Sequence, residues 1–594
     1  MNHIRYIGAK QPNCDYFHGQ IPYVKGAKLY QVSRADRGVN EGHTYQHAPD
    51  LAWYHGRFYI AYLTNPQDEH GGAGVTRLAY SEDGRKWEST LAFPVYMIPE
   101  GEVTNAKGEH LIFDGKTPAF MHQRMAFYCA KNDVMLVSGF YGWSPVLWQT
   151  NWDHRGLGRV VRRLYPDGSL GDIYFILINH QGGWQPHQLI YPEYQESEDQ
   201  AFVEACEELL HNTLVMQEWA EESGDSHESI RIKHPQNGTY QAFCWYHRTE
   251  QDVIGLWKHS FVGRSLDGGI TWDGPIKEPS LVMSGQKIWG EKTADGRFAL
   301  IYDPTLETQH RFPLCLVTSE DGLDFDDMRL IHGEVPPMRY KGFSKDLGPQ
   351  YMRGISEGMP KPEDQNLSIT YSVNKEDIWF AQIPVPIQNE EIKPVCERHF
   401  DEAVLRNWNL YQPSWASIQA RLDGSLELRC SEPYDYARAV RLLPSSSQLK
   451  LRLVLAVGEL SEDETVQMEL NNAEHKTAIR LIWRPEGKLN HRTVCELGLS
   501  EWKPERRQEV LIEADCQTFS YQVTIDGKKM GPFRFMVAVD SLSEVSIRTG
   551  EPRYLANIEE NPDNKPESPL PGCESPKAPV CVRLHEIEML TDAQ

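Results

Sequence analysis

The chain has 594 residues, with 84 acidic and 60 basic side chains giving a formal net charge of −24. A hydrophobic share of 40 % beside a charged share of 24 % excludes a mostly disordered chain. The acidic excess excludes a nucleic-acid binder unless one face is sharply basic, and leaves room for a small anion held in a local basic pocket.

At about 100–200 residues per domain the length fits several domains, or one large repeat domain and a partner. The opening MNHIRYIGAK lacks the apolar run of a secretory leader. The chain is therefore expected to be cytoplasmic, or periplasmic if a leader was trimmed before Met1. The longest uncharged stretches, 134–152 and 173–192, are broken by Gly, Pro, Asn, Gln and His, so no membrane span is expected. Eleven cysteines, without CxxC pairs or Cys/His clusters, read as mostly buried thiols. Cys573 and Cys581 are the one pair placed to be a disulfide candidate.

Taken in chain order, the first two thirds is a series of short alternating apolar and aromatic runs, such as 57–63, 135–141, 240–246 and 297–302, each bounded by turn residues. One segment differs. Ser197 to Glu222 carries Phe202, Cys206, Leu209, Leu210, Leu214 and Met216 at near-helical spacing, with Ser197 and Gln200 as a capping box. Three runs end in a Ser-x-Asp box: Ser81 to Trp87, Ser265 to Trp272 and Ser319 to Phe325. The middle copy matches the full Asp-box, S-x-D-x-G-x-T-W; the others are one residue shorter. Asp caps the turn, Gly takes positive φ and the aromatic packs into the sheet, which is a structural role.

Repeated four-stranded units of this kind predict an all-β fold with a β-propeller of seven, or six, blades over residues 1–387. Blocks at 47–87, 122–165, 226–272, 285–325 and 350–383 are blade-like, and strands at 4–36, 89–116 and 172–192 supply the rest. Residues 388–594 continue as alternating strands, clearest at 425–429, 449–455, 477–483 and 519–524, and predict a β-sandwich. Six prolines between Asn557 and Pro579 mark a loop before a final strand.

A propeller binds its ligand where the innermost strands converge, so polar residues at the starts of those strands are the candidates. These are His43 and His47, His122 and Arg124, His227 and Glu228 with Tyr246, His247 and Arg248, then Lys287, Glu291 and Lys292, then Tyr351 and Arg353. The run 338–353 adds Arg339, Lys341 and Lys345 against Asp346. In so acidic a protein, a basic concentration around Lys287, Lys292, Arg339 and Arg353 points to capture of a carboxylate.

Phe343 to Ile355 and Tyr371 to Trp379, with Met121-His-Gln-Arg-Met125 and Trp289 to Arg297, resemble the bacterial rhamnose–glucuronate lyases that trim arabinogalactan. The resemblance implies β-elimination of a terminal L-rhamnose from O4 of D-glucuronic acid, and uronate-containing side chains as substrate. Such a reaction needs a cation on the carboxylate as the C5 proton leaves. Arg248, then Arg353, are the candidates for that role. His122 or His47 is the candidate base, and Tyr246 or His247 the candidate acid. Arg124, Lys287, Lys292 and Tyr351 are expected to bind substrate, and Trp143 to stack on a sugar face. No cofactor is required and no obligate protein partner is evident; a structural calcium is compatible with loops rich in Asp and carbonyls.

Two other readings fit the same residues. Asp-boxes also occur in sialidases, which use an arginine triad, a Tyr–Glu pair and an Arg-Ile-Pro string that is absent from this sequence. A glycosidase needs positioned carboxyls, for which Glu41, Asp50, Glu228 and Glu291 are available. The third reading is a non-catalytic carbohydrate-binding propeller.

Overall fold

A computed structural model describes residues 7–9, 20–144, 156–220, 243–283, 285, 287–306, 310–387, 392–553 and 569–590. Among the described residues the apolar runs form five antiparallel four-stranded blades; in four of them the strands follow one another in sequence, and in the fifth the last strand comes from earlier in the chain. Blade 1 begins at Tyr45–Tyr54, blade 2 at Phe120–Cys129, blade 3 at Cys244–His247, blade 4 at Trp289–Lys292 and blade 5 at Pro349–Gly354. These inner strands lie beside one another between blades 1 and 2, 3 and 4, 4 and 5, and 5 and 1. Between blades 2 and 3 the predicted helical segment intervenes. It is two helices, α1 (Gln200–His211) and α2 (Thr213–Ala220), whose Phe202, Leu209, Leu214 and Trp219 pack with Leu136 and Val161 on one side and Trp245 and Trp257 on the other. Asp199 caps α1 by accepting from the Phe202 N–H at 3.2 Å, in place of the expected Ser197.

Five blades among the described residues stand where the sequence predicts seven or six, because the strands assigned to extra blades complete existing ones. Glu88–Phe93 is the outer strand of blade 1 and Tyr174–Ile178 that of blade 2. Gly8–Ala9 adds to blade 4, in parallel with its outer strand. Lys28–Ser33 supplies the fourth strand of blade 5, so that chain from before blade 1 closes the ring. Only Gly101–Thr104 and His110–Phe113 stay apart, as a two-stranded hairpin.

All three Asp-boxes lie in the turns between third and fourth strands of blades 1, 3 and 4. In the full box, Ser265 Oγ donates to Asp267 at 2.7 Å and the Gly269 N–H donates back to Ser265 at 2.8 Å. Thr271 Oγ1 donates to Asp267 at 2.6 Å and Trp272 Nε1 to the Gly269 carbonyl at 3.1 Å. Gly269 has φ of 91°, which a side chain would strain. The bonds are local, so the box holds its own turn.

The C-terminal residues form two packed sheets. Leu449, Leu451, Leu453 and Leu455 alternate inward from Gln448–Val457 and meet Trp408 and Trp483 in a continuous core. Lys28–Ser33 also pairs in parallel with Trp408–Gln412, so blade 5 and one sandwich sheet are a single eleven-stranded sheet. Ion pairs cross the junction. Glu334, just past the outer strand of blade 4, lies 2.6 Å from Arg438 and 3.5 Å from Arg548 of the sandwich. Burial raises its carboxyl pKa, but Arg438, Arg548 and Arg553 outweigh burial and hold it below the usual value. Glu334→Gln would leave these guanidiniums without that charge, at a cost of about 3–5 kcal/mol. A folded pKa below the unfolded one stabilises above the ordinary carboxylate range and is lost as pH falls through the lowered value. Urea midpoints of the two proteins should therefore differ most near neutral pH and converge in acid.

All ten described cysteines are free thiols, Cys573 and Cys581 included. Cys581 sits in the final strand, where its thiol donates to Glu427. Among the described residues, no helix is long and apolar enough to cross a membrane.

Candidate functional site

Two kinds of position meet at the mouth of the ring: the start of an inner strand and the loop joining the second and third strands of a blade. The inner strands bring His47, His122 and Tyr351, and Lys287 stands two residues before the inner strand of blade 4. The loops bring Glu69 and His70 after Arg57–Asn65, Lys258 after Val253–Trp257, Asp303 and Arg311 after Phe298–Tyr302, and Lys375 after Leu367–Val373.

Tyr351 is the centre of this cluster. It is 4 % exposed, and its φ of 59° is a left-handed conformation that a bulky residue adopts only when its surroundings enforce it. Its ring centroid lies 4.1 Å from that of His47, and Lys287 Nζ stands 3.5 Å over the ring. Lys258 Nζ is 3.3 Å from the Tyr351 hydroxyl, and the Arg311 guanidinium is 5.8 Å from the ring centre. Arg311 is oriented by Asp346 at 3.1 Å and by the Gln350 side-chain oxygen Oε1, to which it donates at 2.9 Å. Lys375 spans Asp346 at 3.2 Å and Glu69 at 3.4 Å. Four cationic side chains thus share the mouth with two carboxylates, in a protein of net charge −24.

Burial and this charge set the protonation states. Burial lowers Lys258 to about 7, with Arg311 adding to the effect. Burial holds His47 well below its ordinary range, reinforced by Lys375 and Lys287; burial and His70 bring His122 to about 3. Both imidazoles are neutral at neutral pH. Burial raises the Glu69 carboxyl, but Lys375, His70 and His122 outweigh burial and bring it to about 2, so it is ionised. Asp303 behaves oppositely. It is fully buried, neither carboxyl oxygen has a hydrogen-bond partner among the described residues, and burial keeps it protonated well above the ordinary range despite Arg311.

Glu69, His70 and His122 are the one grouping of metal-ligating side chains among the described residues, with donor atoms within 4.8 Å of one another. Two nitrogens and one oxygen suit a transition metal better than calcium. The Lys375 ammonium on Glu69, and Lys258 and Lys287 near His122, oppose a dication there.

Several sequence candidates lie elsewhere. Tyr246 is buried between blades 3 and 4, its hydroxyl donating to the Gly322 carbonyl at 2.8 Å. Arg248 is in the turn beyond the far end of the same inner strand, paired with Asp252 and donating to the Asp321 carbonyl at 2.6 Å beside an Asp-box. His247, also at that end, is 3.0 Å from Glu357, whose hydrogen bond raises its pKa. The proposed acids and the first-choice arginine therefore face away from the mouth, because inner strands start there and end on the opposite face. Lys292 is exposed at such an end. Arg353 is buried against Glu218 of α2 at 2.8 Å, Arg339 against Asp377 at 2.5 Å and Lys345 against Glu376 at 3.1 Å. Three of the four basic residues of the run are thus internal ties, and Lys341 is exposed. Trp143 is half-buried at the mouth end of blade 2, edge-on to Phe113 at 5.1 Å. Arg124 lies on the inner strand of blade 2, with its side chain outside what is described; His227 and Glu228 are also outside the described residues. Glu41 pairs with Arg77 and Glu291 with Lys361, each at 2.9 Å, and Asp50 accepts the Phe127 N–H at 2.9 Å, so these form no carboxylate pair at the mouth.

Residues missed from the sequence share one signal, an ionisable side chain in the loop after the second strand of a blade: Glu69, Lys258, Asp303, Arg311 and Lys375. Their convergence required the ring.

Residues 2–236 match the family described as "Beta-prop_BT_1020:-like, N-terminal beta propeller", and residues 408–564 match "Sialidase-like, CBM domain". A solved structure named "Sialidase" is 33 % identical over 99 % of this chain, with a TM-score of 0.90. This chain spans 54 % of that structure's length. Trypanosoma rangeli sialidase in complex with sialic acid is 10 % identical, with a TM-score of 0.36 and 96 % of each chain covered. No curated protein matches the chain. The fold is a β-propeller followed by a β domain of the kind these two family descriptions name.

Proposed function

We propose that the protein is a sialidase-like glycosidase that releases a terminal acidic sugar, its carboxylate held by Lys287 and Arg311. Tyr351 is its nucleophile. The observation that carries this reading is Tyr351 itself, fixed in a strained conformation between Lys258, Lys287, Arg311 and His47 at the propeller mouth. A sugar whose carboxylate adjoins the anomeric carbon repels a carboxylate nucleophile, whereas a phenol meets it uncharged and the surrounding cations stabilise the developing phenolate. Asp303, a carboxyl that stays protonated at the mouth, is the candidate proton donor to the departing oxygen. The name of the 33 % identical structure supports the same class.

A rhamnose–glucuronate lyase keeps one specific support: His47 and His122 are neutral imidazoles, competent as bases, beside cations that can hold a uronate. One panel separates the readings. The protein is incubated with a sialoside, a hexuronide and a rhamnose-capped glucuronide, following free sugar and the ultraviolet absorbance of an unsaturated uronate. Free acidic sugar without absorbance is the expected result. Free rhamnose with absorbance would replace the glycosidase by the lyase, and binding without either product would leave a carbohydrate-binding propeller.

A further inference from the structure

We infer that Lys258 is the base that takes the Tyr351 phenol proton, forming a Lys–Tyr dyad that rests on the nucleophile role proposed above. The two side chains come from different blades and meet only at the mouth. Lys258 leaves the end of the second strand of blade 3, and Tyr351 lies on the inner strand of blade 5. Lys258 Nζ and the phenol oxygen are 3.3 Å apart, within reach of a proton transfer once substrate tightens the site. Lys258 is 8 % exposed, so its amine is held against the hydroxyl and away from bulk water. The division of labour among the cations follows from position. Lys287 lies over the ring face at 3.5 Å, where it favours negative charge on the ring without touching the phenol proton. Arg311 keeps its charge throughout and cannot act as a base.

Lys258 also has the protonation state the role needs. The charged groups facing it are Arg311, Glu69, Lys375 and Asp346, with Lys287 and Tyr351 across the mouth and neutral His47 and His122 beside them. Burial, with these cations, brings the amine to about 7, so near neutral pH a large share is unprotonated.

The step balances. The Tyr351 oxygen bonds to the anomeric carbon as the bond to the leaving oxygen breaks, the phenol proton passes to Lys258, and the leaving oxygen takes a proton from the acid. In the second half water attacks the anomeric carbon, the leaving phenolate recovers its proton from Lys258, and the acid is reprotonated as it takes the water proton.

The test does not need the natural substrate. An aryl sulfonyl fluoride reacts with a phenol as its proton is removed, forming an oxygen–sulfur bond and expelling fluoride, and mass spectrometry reads the modified peptide. In the native protein Tyr351 should be labelled, at a rate that falls as pH drops through about 7. Lys258→Arg keeps the charge but cannot accept the proton. It should slow labelling by about 10²-fold and abolish that pH dependence, as should Lys258→Met. Lys258→Gln makes the same comparison if either variant lowers the melting temperature. Native-rate labelling in Lys258→Arg, or no labelling of Tyr351 in the native protein, overturns the dyad. A chain that hydrolyses an acidic glycoside while labelling is independent of Lys258 keeps the function and loses the dyad. Lys258-dependent labelling without hydrolysis does the reverse.

Discussion

Tyr351→Phe is expected to lower kcat on the acidic glycoside by about 10³-fold or more, because the attacking oxygen is removed while the cationic pocket remains. The ring stays between His47 and Lys287, so contacts that hold the substrate carboxylate are kept and KM should change little. The structural cost is the hydrogen bond with Lys258, about 1 kcal/mol. Steady-state kinetics and a urea titration of the same preparation measure both. A variant that retains turnover would move the nucleophile elsewhere in the mouth. A variant with a raised KM and unchanged kcat would make Tyr351 a binding residue.

Asp303→Asn is expected to separate activity from stability in opposite directions. If Asp303 supplies the proton to the leaving oxygen, the amide removes it and kcat falls by about 10²–10⁴-fold. Stability should move the other way. The native carboxyl binds its proton more tightly than the unfolded chain does, because burial disfavours the anion. Above the ordinary carboxylate pKa the unfolded chain ionises and the folded one does not. Native stability therefore declines with rising pH, by about 1.4 kcal/mol per unit, until the folded group also titrates. The amide has no such dependence. The variant should melt near the native temperature at about pH 4 and increasingly above it towards pH 8, as differential scanning calorimetry would read. A variant less stable at pH 8 than at pH 4, relative to the native protein, would mean that Asp303 is ionised against Arg311. That result would remove it as the acid.

A buried, protonated carboxyl and a strained tyrosine in one mouth fit a protein that gives up stability for preorganisation. The bonds that hold them come largely from the frame. Asp346 orients both Arg311 and Lys375, so the cations are positioned by a shared carboxylate before substrate arrives. The continuous sheet from blade 5 into the sandwich gives Tyr351 a rigid support, since its own blade is the one joined to Trp408–Gln412.

The sequence by itself determined the strand chemistry. Alternating apolar runs, three Asp-boxes and an amphipathic helical insert are local patterns, and the boxes are satisfied by bonds within a few residues, as in the turn from Ser265 to Trp272. It also determined one half of the site, because the starts of inner strands are found by counting along each repeat: His47, His122, Lys287 and Tyr351. The tertiary structure decided the rest. The five blades among the described residues close because Lys28–Ser33 returns to complete the last one, a long-range pairing with no local signature. Whether a cation faces a ligand or a neighbour is likewise decided at long range. Arg353 and Arg339 are neutralised by Glu218 and Asp377, 135 and 38 residues away, whereas Lys258 and Arg311 are brought to one tyrosine from two other blades. Charge pairing in a buried mouth depends on distances through space, and those are fixed only when the ring closes.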